Sequence, residues 1–551
     1  MTIKFVSPVG ADTNSGDSIG DPYRSIGKAY KALRTISTGP HTINAADGDY
    51  DESAGEGDAG TSYLYDSIDT LDITIQGNSS DRTLVKFHGV AGQAYVIYSI
   101  KSANGHIIRC KDMTVMSRNI ADDGDSTAVI RQQADATNYC NIELVNCDAI
   151  GTGTGSTIVN ESSSADGAAN AIATMTNCNV SAISNSHTVY LKDYNQVIVY
   201  GGAYTSNANA SSQNCLRVDS STAIGKVSIT GNVTFNQSIQ SNGLYLSFGG
   251  ALDLCEVNDN EFNCSSMTAS AACLSVINYC SILQVKGNIC NINDTARVQH
   301  GIMLGADAPT NANPIGMTVC NDNIVTYASG SRGHSLLLGS GTDNAIVSNN
   351  KTVSDISLGE GYGIVVKCEG SLIINNIFVA NEGILVKGGG RNKILNNTVY
   401  ANRALEFNKD TDLPNYNTVY NNILDASDGD YSIVFLTDFS EAEVQALNNN
   451  IDYNVYLGGT NIAYNTPATE AYDLDELKEK YALWTTSLFV LNDQNSLISD
   501  PQFIDAENGD FRLLPTSPCL NAGKPTQGDG FTSIGAWQRI SKIKLNSKGI
   551  Y

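Results

Sequence analysis

The chain predicts an all-β fold, a solenoid of stacked parallel strands, and three observations carry that prediction. A short unit recurs: Tyr362-Gly-Ile-Val-Val-Lys367 with Leu372-Ile-Ile-Asn-Asn376, Glu382-Gly-Ile-Leu-Val-Lys387 with Lys393-Ile-Leu-Asn-Asn397, and Arg403-Ala-Leu-Glu-Phe-Asn408 with Thr418-Val-Tyr-Asn-Asn422. The asparagine that closes the second strand returns at Asn232, Asn260, Asn288, Asn323, Asn350, Asn376, Asn397 and Asn422, mostly at intervals in the twenties. Such a period with several short strands per unit is that of a parallel β-solenoid, in which each coil covers its neighbour's core face. The 50 Gly against 11 Pro, with 41% hydrophobic residues, fit many short strands punctuated by turns.

From the N-terminus, Asp21-Pro22 reads as a helix start, and Tyr23, Ile26, Tyr30 and Leu33 follow at helical spacing, so one amphipathic helix is expected to cap the open end of the core. His41-Thr-Ile-Asn-Ala45 then reads as a first strand. The acidic run Asp47-Gly-Asp-Tyr-Asp-Glu52 begins like a calcium loop, but Glu52 stands where that loop needs glycine and Asp58 where it needs glutamate. A solvated turn is the expectation, with no cofactor assigned. The organisation predicted is an N-terminal cap and first strand over 1–60, a β-helix over 61–457 and a C-terminal cap over 458–551, the last with a short helix at Asp473–Tyr481.

Within the repeats, alternate apolar residues such as Ile364 and Val366, or Ile384 and Val386, are expected inward. The asparagines are expected at turns, as scaffold, because asparagine tolerates the left-handed backbone region and can bond along the stack.

The formal charge of −24, from 33 basic and 57 acidic residues, disfavours nucleic acid and anionic membrane surfaces as partners. Thirteen cysteines without a C-x-x-C pair read as reduced core thiols, hence folding in a reducing compartment. The start, Met-Thr-Ile-Lys-Phe-Val, lacks a signal-type apolar segment, and no run of 18 apolar residues points to membrane insertion.

Both ends carry a resemblance. Phe5-Val-Ser-Pro-Val-Gly-Ala-Asp12, Asn14-Ser-Gly16, Asp21-Pro-Tyr-Arg-Ser-Ile26 and the acidic run look like the entry motif, helix lid and first turn of right-handed parallel β-helix proteins of the pectate-lyase-like superfamily, of phage tail-spike or polysaccharide-lyase type. Ser499-Asp-Pro-Gln-Phe-Ile-Asp505, Gly509-Asp-Phe-Arg-Leu513, Ser517-Pro-Cys-Leu-Asn-Ala-Gly523 and Ser533-Ile-Gly-Ala-Trp537 look like the C-terminal edge of the same group. The resemblance implies a right-handed solenoid whose first sheet, here the x-Gly-Ile-x-Val-x strands, lines a groove for extended polysaccharide. It further implies tail-spike trimers and virion partners, although no coiled-coil heptads accompany it.

Two outward clusters follow from the repeat. The first, Tyr190, Lys192, Arg217, Asp219 and Tyr245, combines aromatic and polar groups and is the expected substrate-binding set. The second, Lys367, Lys387, Glu382, Arg403 and Glu406, is the expected catalytic set. Lys367 and Lys387, about 4.8 Å apart by strand spacing, could lower each other's pKa to give a base for β-elimination with Arg403 holding a uronate. Glu382 and Glu406 could instead be the acid and base of a hydrolase. The plain alternative is ordinary cross-strand ion pairing. His300 and His334, at matching strand starts, are expected to pack turns. The functional expectation is a virion-associated tail spike or fibre, folded in a host cytoplasm, that binds and perhaps depolymerises a host-surface polysaccharide. The alternatives are an extracellular bacterial polysaccharide lyase and a non-catalytic adhesive β-helix.

Overall fold

The computed structural model describes residues 1–536 apart from 52–61, 67–71, 90–94, 102–105, 118–127, 135–139, 153–155, 162–169, 183–186, 208–213, 238–241, 266–271, 294–297, 306–314, 329–331, 355–360, 436–442, 444–446, 466–469, 485–491, 527–529 and scattered single or paired positions. The chain is a right-handed parallel β-helix. It divides into two compact units, Met1–Thr318 with Val325–Gly333, and Val319–Ile324 with His334–Tyr551.

The first unit opens on strand Thr2–Val6, which pairs in parallel with His41–Ala45, and that strand pairs with Ile73–Gly77. His41–Ala45 is therefore the second strand, and coil pairing already begins within residues 1–60. Long strands such as Cys140–Gly151 and Ile172–Ala182 bend at a single left-handed residue, Asn146 (φ 51°) and Asn177 (φ 51°), which drops out of the pairing. One bend thus makes two faces from one strand, and the separate sheet containing Val189–Lys192, Asn214–Ser220 and Asn242–Phe248 supplies the third.

The helix is Ile26–Arg34, capped by Ser25, whose hydroxyl accepts from Lys28 N at 3.1 Å. It starts four residues later than Asp21-Pro22 signalled. Asp12 takes the amide protons of Arg24 and Ser25, each at 3.0 Å, and Tyr23 bridges to Val6, so Pro22 and Tyr23 are held extended. Ile26, Ala29, Tyr30 and Leu33 form its buried face. The acidic run is a strand, Gly48–Asp51, and not a turn: it pairs with Val85–His88, and buried Tyr50 donates its hydroxyl to Ala46 O at 2.7 Å. Glu52 and Asp58 lie outside the described residues.

In the second unit each coil has three strands where the repeat pattern indicated two. The third follows the Asn-Asn turn, as in Ile377–Val379 and Thr398–Tyr400. Ile364, Ile384, Leu405 and Ile433 pair in one register, all 0% exposed. Burying each contributes about 1.5–3 kcal/mol.

The two asparagines of each turn do separate jobs. The first, Asn349, Asn375, Asn396 or Asn421, takes the left-handed bend at φ 55–58°. The second is buried, and its amide bonds to the next coil, Asn350 to Asn376 to Asn397 to Asn422 to Asn454. Asn232 (φ 63°) belongs with the bend residues; Val233 occupies the ladder position beside it and donates its amide to Asn260. A parallel ladder, Asn392 to Asn417 to Asn449, runs along another corner.

Beyond Asn450 coil strands continue with Asn450–Asp452, Val455–Leu457 and Ala463–Asn465, and Leu497–Ile498 still pairs with Val455. A further helix is Leu474–Trp484, begun by a reciprocal cap in which Glu476 N donates to Asp473 at 2.8 Å and Asp473 N to Glu476 at 3.1 Å. Residues 500–526 and 530–536 then double back as a strap over earlier coils. Phe511 and Ala536 pack on Ile377, and Cys519 and Ile534 on Ile423 and Val455. The twelve cysteines whose side chains are described are buried and in no disulfide. Among the described residues, no helix is long and apolar enough to cross a membrane.

Candidate functional site

In the first unit, strands Val189–Lys192, Asn214–Ser220 and Asn242–Phe248 pair so that Tyr190 meets Arg217 and Arg217 meets Tyr245, while Lys192 meets Asp219 on the next outward position. All five expected binding residues therefore share one sheet face. The Arg217 guanidinium sits 5.5 Å from the Tyr190 ring centroid and 5.3 Å from that of Tyr245, inside cation–π range of both. Its Nε donates to Asp219 Oδ2 at 2.7 Å, and its Nη2 stands 2.7 Å from the same oxygen. The three side chains of the ladder are half-buried.

His187, absent from the expected set, completes this cluster. Its ring centroid is 5.6 Å from that of Tyr190, its Nε2 is 3.3 Å from Arg217 Nη1, and its Nδ1 accepts from Asn214 N at 3.1 Å. Burial and the Arg217 charge push its pKa down to about 4, so the imidazole is neutral at neutral pH. The signal was present in the chain: His187 stands three residues before Tyr190, as His300 before Met303 and His334 before Leu337. Asp193, beside the cluster, is a buried turn residue (φ 57°) that accepts from Ser221 N at 2.7 Å.

In the second unit, Tyr362 pairs with Glu382 and Glu382 with Arg403, while Leu385 pairs with Glu406. At Gly383 the backbone runs so close to its neighbours that a Cβ would lie 2.2 Å from Val399 Cγ1 and 2.3 Å from Ala404 O, and the residue drops out of the strand pairing. Arg403 reaches both carboxylates: its Nη2 donates to Glu382 Oε1 at 2.6 Å and its Nη1 to Glu406 Oε2 at 3.3 Å. One guanidinium fork thus holds two carboxylates within about 8 Å of each other.

This outward column is covered, where a solvated sheet was expected. Leu337, Val365, Leu385 and Val434 are at most 6% exposed, and Glu406 is 0% exposed. Burial raises the Glu406 carboxyl to about 8, Glu382 adds to the rise, and Arg403 and Tyr362 oppose it. Burial and the same two carboxylates push the Tyr362 phenol far up. His334 lies 5.3 Å from the Tyr362 ring, in a packing contact. Lys367 and Lys387 extend the register that pairs Val366 with Val386 and stand side by side, half-buried, at the other end of these strands. Glu369 and Arg391 form a separate surface pair at 3.5 Å, which adds little stability at that exposure.

Among solved structures, the chain is similar to a double mutant of the tailspike protein of E. coli bacteriophage HK620 in complex with pentasaccharide, at 11% identity and TM-score 0.28 over 82% of this chain and 77% of that one. It is similar to pectate lyase Pel9A, at 12% identity and TM-score 0.19 over 98% and 96%. A third is the GH136 lacto-N-biosidase from Eubacterium ramulus, at 9% identity and TM-score 0.24 over 86% and 66%. Those scores carry no argument about activity. No protein-family model matches the chain, and no curated protein matches it significantly. The fold rests on the strand pairing, and the chemistry on the two clusters alone.

Chemically, the first cluster sets two phenols, a guanidinium and a carboxylate on one face, with a third ring, the His187 imidazole, in reach. The second offers an acid raised to about 8, Glu406, beside a second carboxylate that Arg403 holds at 2.6 Å. Among the described residues, no group of three or more metal-ligating side chains occurs.

Proposed function

We propose that this chain is a glycan-binding parallel β-helix that holds its ligand on the Tyr190–Arg217–Tyr245 face, as a virion-associated spike or fibre would hold a host-surface polysaccharide. The observation that carries the reading is the ladder itself. Three side chains from consecutive coils stand in register, the cation wedged between two rings, over a span of about 10 Å set by the strand spacing. Rigid aromatic edges alternating with fixed donors suit the alternating apolar and hydroxyl faces of a saccharide. The acidic net charge and the thiol-filled core fit a protein that acts outside a cell after folding inside one. The test is a glycan array followed by titration calorimetry. Tyr190→Ala and Tyr245→Ala are expected to weaken binding at least tenfold while leaving the fold intact; a wild-type protein that binds no saccharide would sink the reading.

One observation favours cleavage as a second reading, namely the shared Arg403 fork with a protonated Glu406 and a paired Glu382. Glu406 would be the acid and Glu382 the base or nucleophile, the shared guanidinium capping their separation at about 8 Å against the roughly 5–9.5 Å that glycosidases use. Because Glu406 is buried, substrate entry has to uncover it. New reducing ends on a bound polysaccharide, lost in Glu406→Gln, would support hydrolysis. Ultraviolet-absorbing unsaturated ends, lost in Lys387→Ala, would instead assign elimination to the lysine pair. Bound polysaccharide left intact would make both clusters non-catalytic.

A further inference from the structure

Three nitrogen donors converge on the His187 ring. Asn214 N lies 3.1 Å from Nδ1, Asn214 Nδ2 lies 3.3 Å from the same atom, and Arg217 Nη1 lies 3.3 Å from Nε2. A neutral imidazole has one acceptor nitrogen, and guanidinium and backbone amide can only donate. The Asn214 side chain cannot relieve this by turning its oxygen inward, because its Oδ1 already accepts from Asn242 N at 3.3 Å and Asn242 Nδ2 at 3.0 Å. Placing the acceptor at Nδ1 satisfies the Asn214 amide. It leaves Nε2–H facing the Nη1–H of Arg217, two donors with no acceptor between them among the described residues.

The opposite tautomer is worse, because Nδ1–H would then oppose both Asn214 donors. Arg217 Nε and Nη2 are already committed to Asp219 Oδ2, so Nη1 is the guanidinium nitrogen that faces away from the ion pair. A partly exposed pair of convergent N–H groups, one of them cationic, is the geometry that carboxylate oxygens occupy, since charge-assisted bonds from a guanidinium are about twice as strong as neutral ones.

We infer that His187 Nε2 and Arg217 Nη1 form a two-donor clamp for a carboxylate oxygen, so that the Tyr190–Tyr245 platform selects glycans bearing acidic sugars. Tyr190 and Tyr245 hold the sugar ring, and the clamp reads its acid group. Lys192, on the position across from Asp219, adds a second cation to the same stretch. The inference rests on the glycan-binding reading and adds the substrate class and a specificity residue, His187.

The experiment uses the full chain and pairs of oligosaccharides bearing uronate or sialic acid, each beside its carboxyl-reduced counterpart. The acidic member is expected to bind at least tenfold tighter. His187→Ala is expected to erase that preference, so that the acidic and reduced sugars bind the variant within about twofold of each other. His187→Gln, whose amide can accept from Asn214 and donate outward, is expected to restore most of it, which separates a lost donor from a disturbed fold. Equal affinity for acidic and reduced sugars, or an acid preference unchanged in His187→Ala, would overturn the clamp while glycan binding stands. Binding of neither member overturns the glycan-binding reading itself.

Discussion

Glu406 shows how much one buried carboxyl can govern. Its folded pKa is raised from an ordinary 4.5 to about 8, so the native state holds a proton that the unfolded chain has already released. Stability contributed at this position is present below pH 4.5 and is lost as pH rises towards 8, at a scale of roughly 3–5 kcal/mol. Asp493, buried and raised to about 7 while accepting from Tyr456 and Ser496, acts in the same direction. The informative quantity is therefore the difference between wild type and Glu406→Gln. Urea unfolding at pH 5 and pH 9 is expected to show the variant gaining on wild type by a few kcal/mol across that interval; parallel pH dependence would mean that Glu406 is ionised or exposed. Glu406 was legible as an outward position of its strand, but its burial was not, because Leu385, Val434 and Tyr362 reach it from other coils while Arg403 folds over it from its own strand.

At the scale of the element, the Asn-Asn turn separates two contributions that look alike in the chain. Asn375 is there for its backbone (φ 58°), and Asn376 for its amide. Asn376 Oδ1 accepts from Asn350 N and Nδ2, both at 2.9 Å, while its Nδ2 donates to Val347 O and Asn397 Oδ1, both at 3.0 Å. Removing that amide leaves buried donors and acceptors unpaired, at about 1–3 kcal/mol each. Asn376→Ala is expected to lower the melting temperature by several degrees, whereas Asn375→Gly, free of left-handed strain, is expected to leave it within about a degree or two. Equal losses at the two positions would contradict this division. The repeat made the column of asparagines readable. Which of each pair bends and which bonds follows from the third strand, whose short Ile-Phe-Val and Thr-Val-Tyr segments do not announce themselves.

At the scale of the whole molecule, each unit is stabilised coil by coil, and the second is also closed by a strap that returns from the C-terminal end. Phe511 packs with Ile377 and Ala536, 5.2 Å from the Phe503 ring and 6.4 Å from that of Tyr400. Ala536 N donates to Thr398 Oγ1 at 3.0 Å and Lys524 N to Asn421 Oδ1 at 2.7 Å, so the strap is pinned by backbone amides as well as by apolar contact. Phe511→Ala is expected to cost about 3–5 kcal/mol of local stability. Its mark would be early protease cleavage within 500–536 and binding of a hydrophobic dye, with far-ultraviolet dichroism unchanged. Loss of all β signal at once would instead make the strap and the coils one cooperative unit.

By itself, the sequence determined the period, the inward Ile and Val columns, and the register that sets Tyr190 beside Arg217 and Glu382 beside Arg403. Those properties depend on strand alternation and turn residues, which act over a few neighbouring positions. Only the tertiary structure decided that the Glu406 column is covered, that His187 closes on Arg217, and that residues 500–526 and 530–536 lie along earlier coils. Exposure and pKa are set by groups brought close in space from twenty to more than a hundred residues away, as Thr398 and Ala536 are, 138 positions apart. No local pattern in the chain encodes that distance.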